Sequence, residues 1–257
     1  MEMVHSSDGT VIAFDRLGAG KPVVLVSGAS TSRAVHQPLA ELLAAHFTVI
    51  NYDRRGRGDS GDTLPYSVAR EIDDLSAVIA AAGGRASVFG NSSGAALALR
   101  ATAAGLPISS VALWEPPFMT DPDAPRRARE YTTKLEELLA AGHRGDAIAL
   151  FMSSIGLPQE MIVGMRRSEA WAGMEAIAPT LAYDAAVMGD STVPTDLVSS
   201  IKVPTLVMTG EKTGAWSDNA ARALKDALPT VEHRVLADQT HAASWDVLAN
   251  GLRQFLS

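Results

Sequence analysis

Ala86-Ser87-Val88-Phe89-Gly90-Asn91-Ser92-Ser93-Gly94-Ala95-Ala96-Leu97-Ala98-Leu99-Arg100 is the stretch on which the fold turns. Its first residues form a short apolar run, read as a strand over Ala86–Phe89, and from Ser93 to Ala103 small residues and leucines read as a helix. Between them lies Gly90-Asn91-Ser92-Ser93-Gly94, a Gly-x-Ser-x-Gly pattern that holds a serine on a sharp strand-to-helix turn. Cβ atoms at the two flanking positions would clash in so tight a turn, and Ala95 and Ala96 let the helix sit close to the strand. The helix N-terminus brings free N–H groups and a positive dipole end beside the serine oxygen. Five residues of Gly, Ser and Asn would by themselves fit a plain glycine-rich turn. The strand before and the helix after are the context that makes Ser92 the candidate nucleophile, with Ser93 supplying a backbone N–H.

Working outward, short β-branched runs alternate with helical patterns, the mark of an α/β chain with a mostly parallel sheet covered by helices. Met3–Ser6 and Thr10–Asp15 read as a hairpin turned at Asp8-Gly9. Lys21–Ser27 and Phe47–Tyr52 read as strands, with a helix over Arg33–Ala45 between them and another over Tyr66–Ala82. Ser110–Trp114 is again a strand. The rhythm then breaks: from Pro116 to Ser200 there are helix-like segments and no convincing buried strand. It resumes with Thr205–Thr209, Asp218–Ala227 and His233–Leu236, before a last helix from about Ala243 to Phe255. Residues 1–115 and 201–257 are therefore expected to form one core, and 116–200 a helical cap inserted into it.

Composition narrows the chemistry. The 257 residues are 47% hydrophobic and 20% charged, too apolar for a disordered chain. Lys and Arg number 22 against 29 Asp and Glu, a formal charge of −7, so no nucleic-acid partner is expected. No cysteine is present, which removes thiolate nucleophiles, disulfides and cysteine-bound metal. The first residues lack the basic and apolar regions of a secretion signal, and no apolar stretch reaches membrane-spanning length. A cytoplasmic protein without membrane attachment is expected. There is no His-x-x-x-His or similar ligand cluster, and no metal or cofactor is expected.

A serine nucleophile needs a base. His241 lies in Asp238-Gln239-Thr240-His241, after the last strand and before the last helix. His5, His36, His46, His143 and His233 are less well placed and read as solvated or core rings.

Taken together, Val23-Val24-Leu25-Val26-Ser27-Gly28, Tyr52-Asp53-Arg54-Arg55-Gly56-Arg57-Gly58-Asp59-Ser60, the Ser92 turn, Val203-Pro204-Thr205-Leu206-Val207-Met208-Thr209-Gly210 and His241 resemble the α/β-hydrolase superfamily over essentially the full chain. The chain looks most like its small capped members. The resemblance implies a mostly parallel eight-stranded sheet with helices on both faces and a helical cap. It also implies an oxyanion hole made by the backbone N–H groups of Ala29 and Ser93, although Ser27-Gly28 stands where the family often has His-Gly. Capped relatives that attack through an aspartate, the haloalkane dehalogenases and epoxide hydrolases, are not expected, because the turn carries Ser92.

The family usually places the triad acid in the loop after the strand ending at Gly210, where this chain has Thr213. The superfamily's other location is the end of the strand after the nucleophile helix, which here reads Leu113-Trp114-Glu115-Pro116. A carboxylate at the carboxyl edge of a sheet, where ligand sites gather, makes Glu115 the first candidate, with Glu211 and Asp218 as alternatives. Arg54, Arg55, Arg57 and Lys212 read as surface or loop-bracing charges, with Arg57 near Asp53 or Asp59.

The expected activity is that of a serine esterase acting on a carboxylic ester or lactone. A small to medium apolar substrate is suggested by Met119, Met152, Met161, Met165, Met174 and Met188 in the cap, although each alone reads as packing. The same triad would also serve a cofactor-free haloperoxidase or perhydrolase, or a carbon–carbon hydrolase or lyase. A non-catalytic small-molecule binding protein is the remaining alternative.

Overall fold

The computed structural model describes the whole chain from Met1 to Ser257. Strands β1 (Glu2–His5) and β2 (Val11–Leu17) make the opening hairpin, followed by β3 (Lys21–Val26). A 3-10 turn over Arg33–His36 leads into α1 (Gln37–Ala44), and β4 (Phe47–Tyr52) comes next. The helix α2 (Val68–Ala81) starts at Ser67, whose hydroxyl accepts from the Arg70 N–H as an N-cap. Then come β5 (Ala86–Asn91), α3 (Ser93–Ala103) and β6 (Ile108–Trp114). Only helices stand between β6 and the next strand: α4 (Ala124–Ala140), α5 (Arg144–Ser154), α6 (Gln159–Met165), α7 (Ala170–Ile177), α8 (Leu181–Met188) and α9 (Thr195–Val198). The chain ends with β7 (Thr205–Gly210), α10 (Ala215–Ala227), β8 (Val231–Leu236) and α11 (Trp245–Leu256).

The eight strands form one sheet in the order β1-β2-β4-β3-β5-β6-β7-β8. Only β2 runs against its neighbours, and every pair from β4 to β8 is parallel. Helices cover both faces of the parallel part, so its strands are continuous apolar runs. Every residue of Thr205–Gly210 is buried, as are Val23–Val26. Period-two alternation divides these side chains between two cores. Val24, Val26, Ile50 and Val88 pack with Leu75 and Val78 of α2, Ala95–Leu99 of α3 and Leu224 of α10. Val23, Leu25, Val49 and Phe89 pack on the opposite face with Leu39 and Leu43 of α1 and Leu248 and Leu252 of α11. No helix is long and apolar enough to cross a membrane.

From β3 the chain crosses to β4 on one side and later returns to β5 on the other. Strand order therefore reverses at β3 and β5, and their carboxyl ends open the crevice where ligands bind in such sheets. Ser27-Gly28 and Asn91-Ser92 stand there.

The helices between β6 and β7 have a small core of their own, including Leu135, Ile148, Met152, Trp171 and Leu181. Ala29 packs against it, so this core reaches the end of β3. The methionines divide. Met165 and Met174 pack against the same core, Met188 against the main one, and Met161 is 56% exposed.

Of the histidines set aside as solvated or core rings, His36 is a core ring. It is buried, edge-on to Trp245 and 5.9 Å from Phe89. Its Nε2 lies 3.5 Å from the Asn91 amide nitrogen, and its Nδ1 has no partner. Burial pushes its pKa down to about 4. Between about 6.5 and 4 the unfolded chain takes up a proton that the folded chain refuses. The stability due to the neutral ring is thus fully present above about pH 6.5 and is lost as pH falls toward 4, roughly 3 kcal/mol in all. Urea unfolding at pH 7, 5.5 and 4.5 should show His36→Gln flattening that acid-side decline. A variant with the parental slope would place the decline elsewhere.

Candidate active site

The turn after β5 is tied to β6 by the Ser92 N–H, which donates to the Trp114 carbonyl at 2.9 Å. Ser92 has φ 55° and ψ −123°, a conformation that costs a non-glycine residue about 1–3 kcal/mol and persists only where its surroundings enforce it. The flanking glycines are steric necessities. A Cβ on Gly94 would lie 2.4 Å from the Val26 carbonyl oxygen, and one on Gly90 2.6 Å from Ala95 Cα. A third contact locates the end of β3, since a Cβ on Gly28 would come within 3.1 Å of the Ser92 Cβ. The Ser27–Ser30 segment therefore leans directly on the serine turn.

That segment is held from behind. The Gly28 carbonyl accepts from Arg57 Nη1 at 2.6 Å and from the Thr31 hydroxyl at 2.9 Å. A trans peptide is planar with its C=O and N–H opposed, so fixing the Gly28 carbonyl also fixes the direction of the Ala29 N–H. Ser93 is buried at the start of α3.

Glu115 directly follows β6. It is buried, with φ 43°, and its N–H donates to the Met208 carbonyl of β7 at 3.1 Å. Its Oε2 lies 2.6 Å from His241 Nδ1. Its Oε1 accepts from the Gly210 N–H at 2.7 Å and the Ser217 hydroxyl at 2.9 Å. Burial alone would raise the Glu115 pKa, but the hydrogen bonds led by His241 outweigh it and hold the carboxyl below its usual range. It is ionised at neutral pH. The imidazole is 45% exposed while the carboxylate beneath it is enclosed, so one ring nitrogen is anchored and the ring stays open to solvent. The Trp114 indole N–H donates to the His241 carbonyl at 2.9 Å, and Trp216 stands edge-on to the ring at 5.7 Å.

The alternative acids lie elsewhere. Glu211 is exposed and accepts from the Asp238 N–H, and exposed Asp218 lies in the first turn of α10. The histidine loop is pinned through Gln239, whose carbonyl accepts from the Lys212 N–H and whose side-chain oxygen accepts from the Ser244 N–H.

The arginines require a correction. Arg54, Arg55 and Arg57 are buried, and the surface reading fails; bracing is what they do. Arg54 grips Glu71 through Nε at 2.6 Å and Nη2 at 2.9 Å, and reaches Asp184 of α8 with Nη1 at 2.7 Å. Arg57 pairs with the other oxygen of Asp184 at 2.7 Å, not with Asp53 or Asp59, which bind Arg33. The Ser93 hydroxyl also donates to Asp184, at 2.7 Å. Burial would raise the Asp184 pKa, yet Arg57 and Arg54 hold it below the usual carboxylate range. Arg55 binds Asp74 and Asp8. Lys212 is exposed and pairs with Asp238.

Sequence reasoning missed Asp184, Ser217 and the Trp114 indole. Asp184 had a faint signal, being an acid within Leu181-Ala182-Tyr183-Asp184-Ala185-Ala186-Val187, an otherwise apolar helix without a partner base nearby in sequence. Nothing in the sequence marks Ser217.

Comparison with known proteins agrees with this architecture. Residues 23–250 match the profile described as the alpha/beta hydrolase family. The solved structure of an alpha/beta hydrolase from Sphaerobacter thermophilus is 52% identical, covers all of both chains and superposes with a TM-score of 0.91. An esterase from Thermogutta terrifontis shares the fold at 24% identity and a TM-score of 0.74, over 99% of this chain and 97% of its own. RutD of Azorhizobium caulinodans, a candidate carbamate hydrolase, is 36% identical over 84 residues. That match spans about a third of each chain (32% of this one and 31% of RutD). A family profile matched across nearly the whole chain, on a mostly parallel eight-stranded sheet, establishes that the protein belongs to the alpha/beta hydrolase family.

Proposed function

We propose that the protein is a serine hydrolase that cleaves a carboxylic ester or lactone through an acyl-enzyme. The observation that carries this reading is the 2.6 Å contact between His241 Nδ1 and a buried, ionised Glu115, one strand away from a serine held at positive φ.

In this mechanism the Glu115 carboxylate accepts a hydrogen bond from Nδ1–H, which leaves Nε2 unprotonated to act as base. Ser92 Oγ attacks the ester carbonyl as His241 takes its proton, and the oxyanion settles between the N–H groups of Ala29 and Ser93. The imidazolium then protonates the departing alcohol. A water molecule, deprotonated by the same ring, attacks the acyl carbonyl, and the carboxylic acid leaves as Ser92 regains its proton. Buried Glu115 stabilises the charged ring at both stages. The helices of residues 116–200 act as the cap. Their apolar core against Ala29 favours an apolar group of small to medium size beside the oxyanion hole.

Two experiments test the reading. The parent should hydrolyse p-nitrophenyl acetate or butyrate, and a fluorophosphonate should label Ser92 and no other residue, as read by peptide mass spectrometry. Label without turnover on a panel of esters and lactones would point to a binding role; no label would refute the nucleophile. For the acid, Glu115→Gln should fold yet lower kcat by about 10²- to 10⁴-fold, because the amide cannot stabilise the imidazolium. Near-parental turnover in that variant would move the role to Glu211 or Asp218.

A further inference from the structure

Asp184 is the point where the helical segment meets the catalytic core through charge. It projects from α8, is buried, and divides its two oxygens among three partners. Oδ1 accepts from Arg54 Nη1 and from the Ser93 hydroxyl, both at 2.7 Å. Oδ2 accepts from Arg57 Nη2 at 2.7 Å, and Arg57 Nη1 in turn donates to the Gly28 carbonyl at 2.6 Å. Arg54 Nη1 also reaches the Ser27 carbonyl at 3.3 Å. Both backbone segments of the proposed oxyanion hole are thus tied to one carboxylate. One is Gly28–Ala29, tied through Arg57. The other is Ser93, tied directly.

We propose that Asp184 is a positioning residue that couples helix α8 to the oxyanion hole, orienting the Ala29 N–H through Arg57 and the Gly28 carbonyl, and holding Ser93 through its hydroxyl. The inference rests on the serine-hydrolase reading above. Its physical basis is the rigidity of the peptide unit. When Arg57 loses its anchor, the Gly28 carbonyl keeps only the Thr31 hydroxyl as a firm partner, and any rotation it makes turns the Ala29 N–H with it. Donors in such a hole act only when aimed at the forming oxyanion, so a small rotation weakens the transition state and leaves ground-state binding largely intact. Arg54 retains its two bonds to Glu71 when Asp184 is changed, so Arg57 is the cation left without a counter-charge.

The test compares parent, Asp184→Asn, Ser93→Ala and the double variant on p-nitrophenyl acetate, with phenylboronic acid as a probe whose tetrahedral adduct on Ser92 places an oxygen in the hole. In Asp184→Asn, kcat should fall about 10- to 100-fold with KM within threefold, and boronate affinity should weaken by a similar factor. Ser93→Ala, which removes one hydroxyl and no charge, should lower both by about two- to tenfold. The double variant should lose less than the product of the two single losses, since both act through one carboxylate. Folded Asp184→Asn with parental kcat and boronate affinity would overturn the inference. If that variant does not fold, parental values in Ser93→Ala overturn it instead. A parent that neither turns over the ester nor takes a fluorophosphonate on Ser92 overturns the serine-hydrolase reading and this inference together. An active, labelled parent with unaffected variants overturns this inference alone.

Discussion

Two guanidinium groups with no access to solvent constrain the centre of this molecule. Arg54 and Arg57 cannot shed their charge, so every conformation that buries them must bring carboxylates and carbonyls to them. Glu71 comes from α2, Asp184 from α8, and the Ser27 and Gly28 carbonyls from the end of β3. Around this set further contacts follow. Tyr66 donates to Glu71 at 2.7 Å and stacks face to face on Tyr183, whose hydroxyl donates to Asp62. Breaking the Arg57–Asp184 pair or the Arg54–Glu71 pair would leave a buried charge without an opposite partner, at a cost of several kcal/mol. The arrangement therefore fixes one relative placement of sheet, β3 loop and α8.

Backbone strain gathers where the chemistry is proposed. Five non-glycine residues have positive φ, and four of them, Ser30, Ser92, Glu115 and Asp238, lie in the loops that carry the proposed hole, nucleophile, acid and base. Each such residue costs about 1–3 kcal/mol and relaxes unless its neighbours forbid it. The neighbours are evident. Ser92 is wedged between Gly28 and the Trp114 carbonyl, and Glu115 is bonded on both oxygens. Strain here buys direction: positive φ swings Ser92 away from the line of β5 and turns Glu115 across the end of β7.

The fold was legible because its signals are local. Buried parallel strands are continuous apolar runs, and Phe47–Tyr52 and Ser93–Ala103 fall where their patterns put them. The serine turn was legible for the same reason, since its glycines answer contacts with residues a few positions away or on the adjoining strand. The arginines were misread because burial of a charge is decided by partners remote in sequence. Asp184 lies 130 residues from Arg54 and 127 from Arg57, and no periodicity encodes that distance. Ser217 escaped for a like reason, being 102 residues from the carboxylate it serves.

The proposed acid shows how a sheet lets one chemical group be supplied from two places. β6 and β7 are parallel neighbours, about 4.8 Å apart, with Trp114 paired to Met208. A residue one step beyond Trp114 is therefore level with the end of β7. Glutamate, one methylene longer than aspartate, spans the strand spacing, and Glu115 reaches the Gly210 N–H that begins the following loop. The same point is where a carboxylate from that loop would arrive. In this chain the loop offers Thr213, whose neutral hydroxyl would lie 2.7 Å from a Cβ on Gly210. A second carboxylate there would face Glu115 at close range, and two like charges in one enclosed site cannot both stay ionised. A neutral threonine at 213 avoids that conflict with Glu115, and the Ser217 hydroxyl binds the carboxylate oxygen that His241 leaves free.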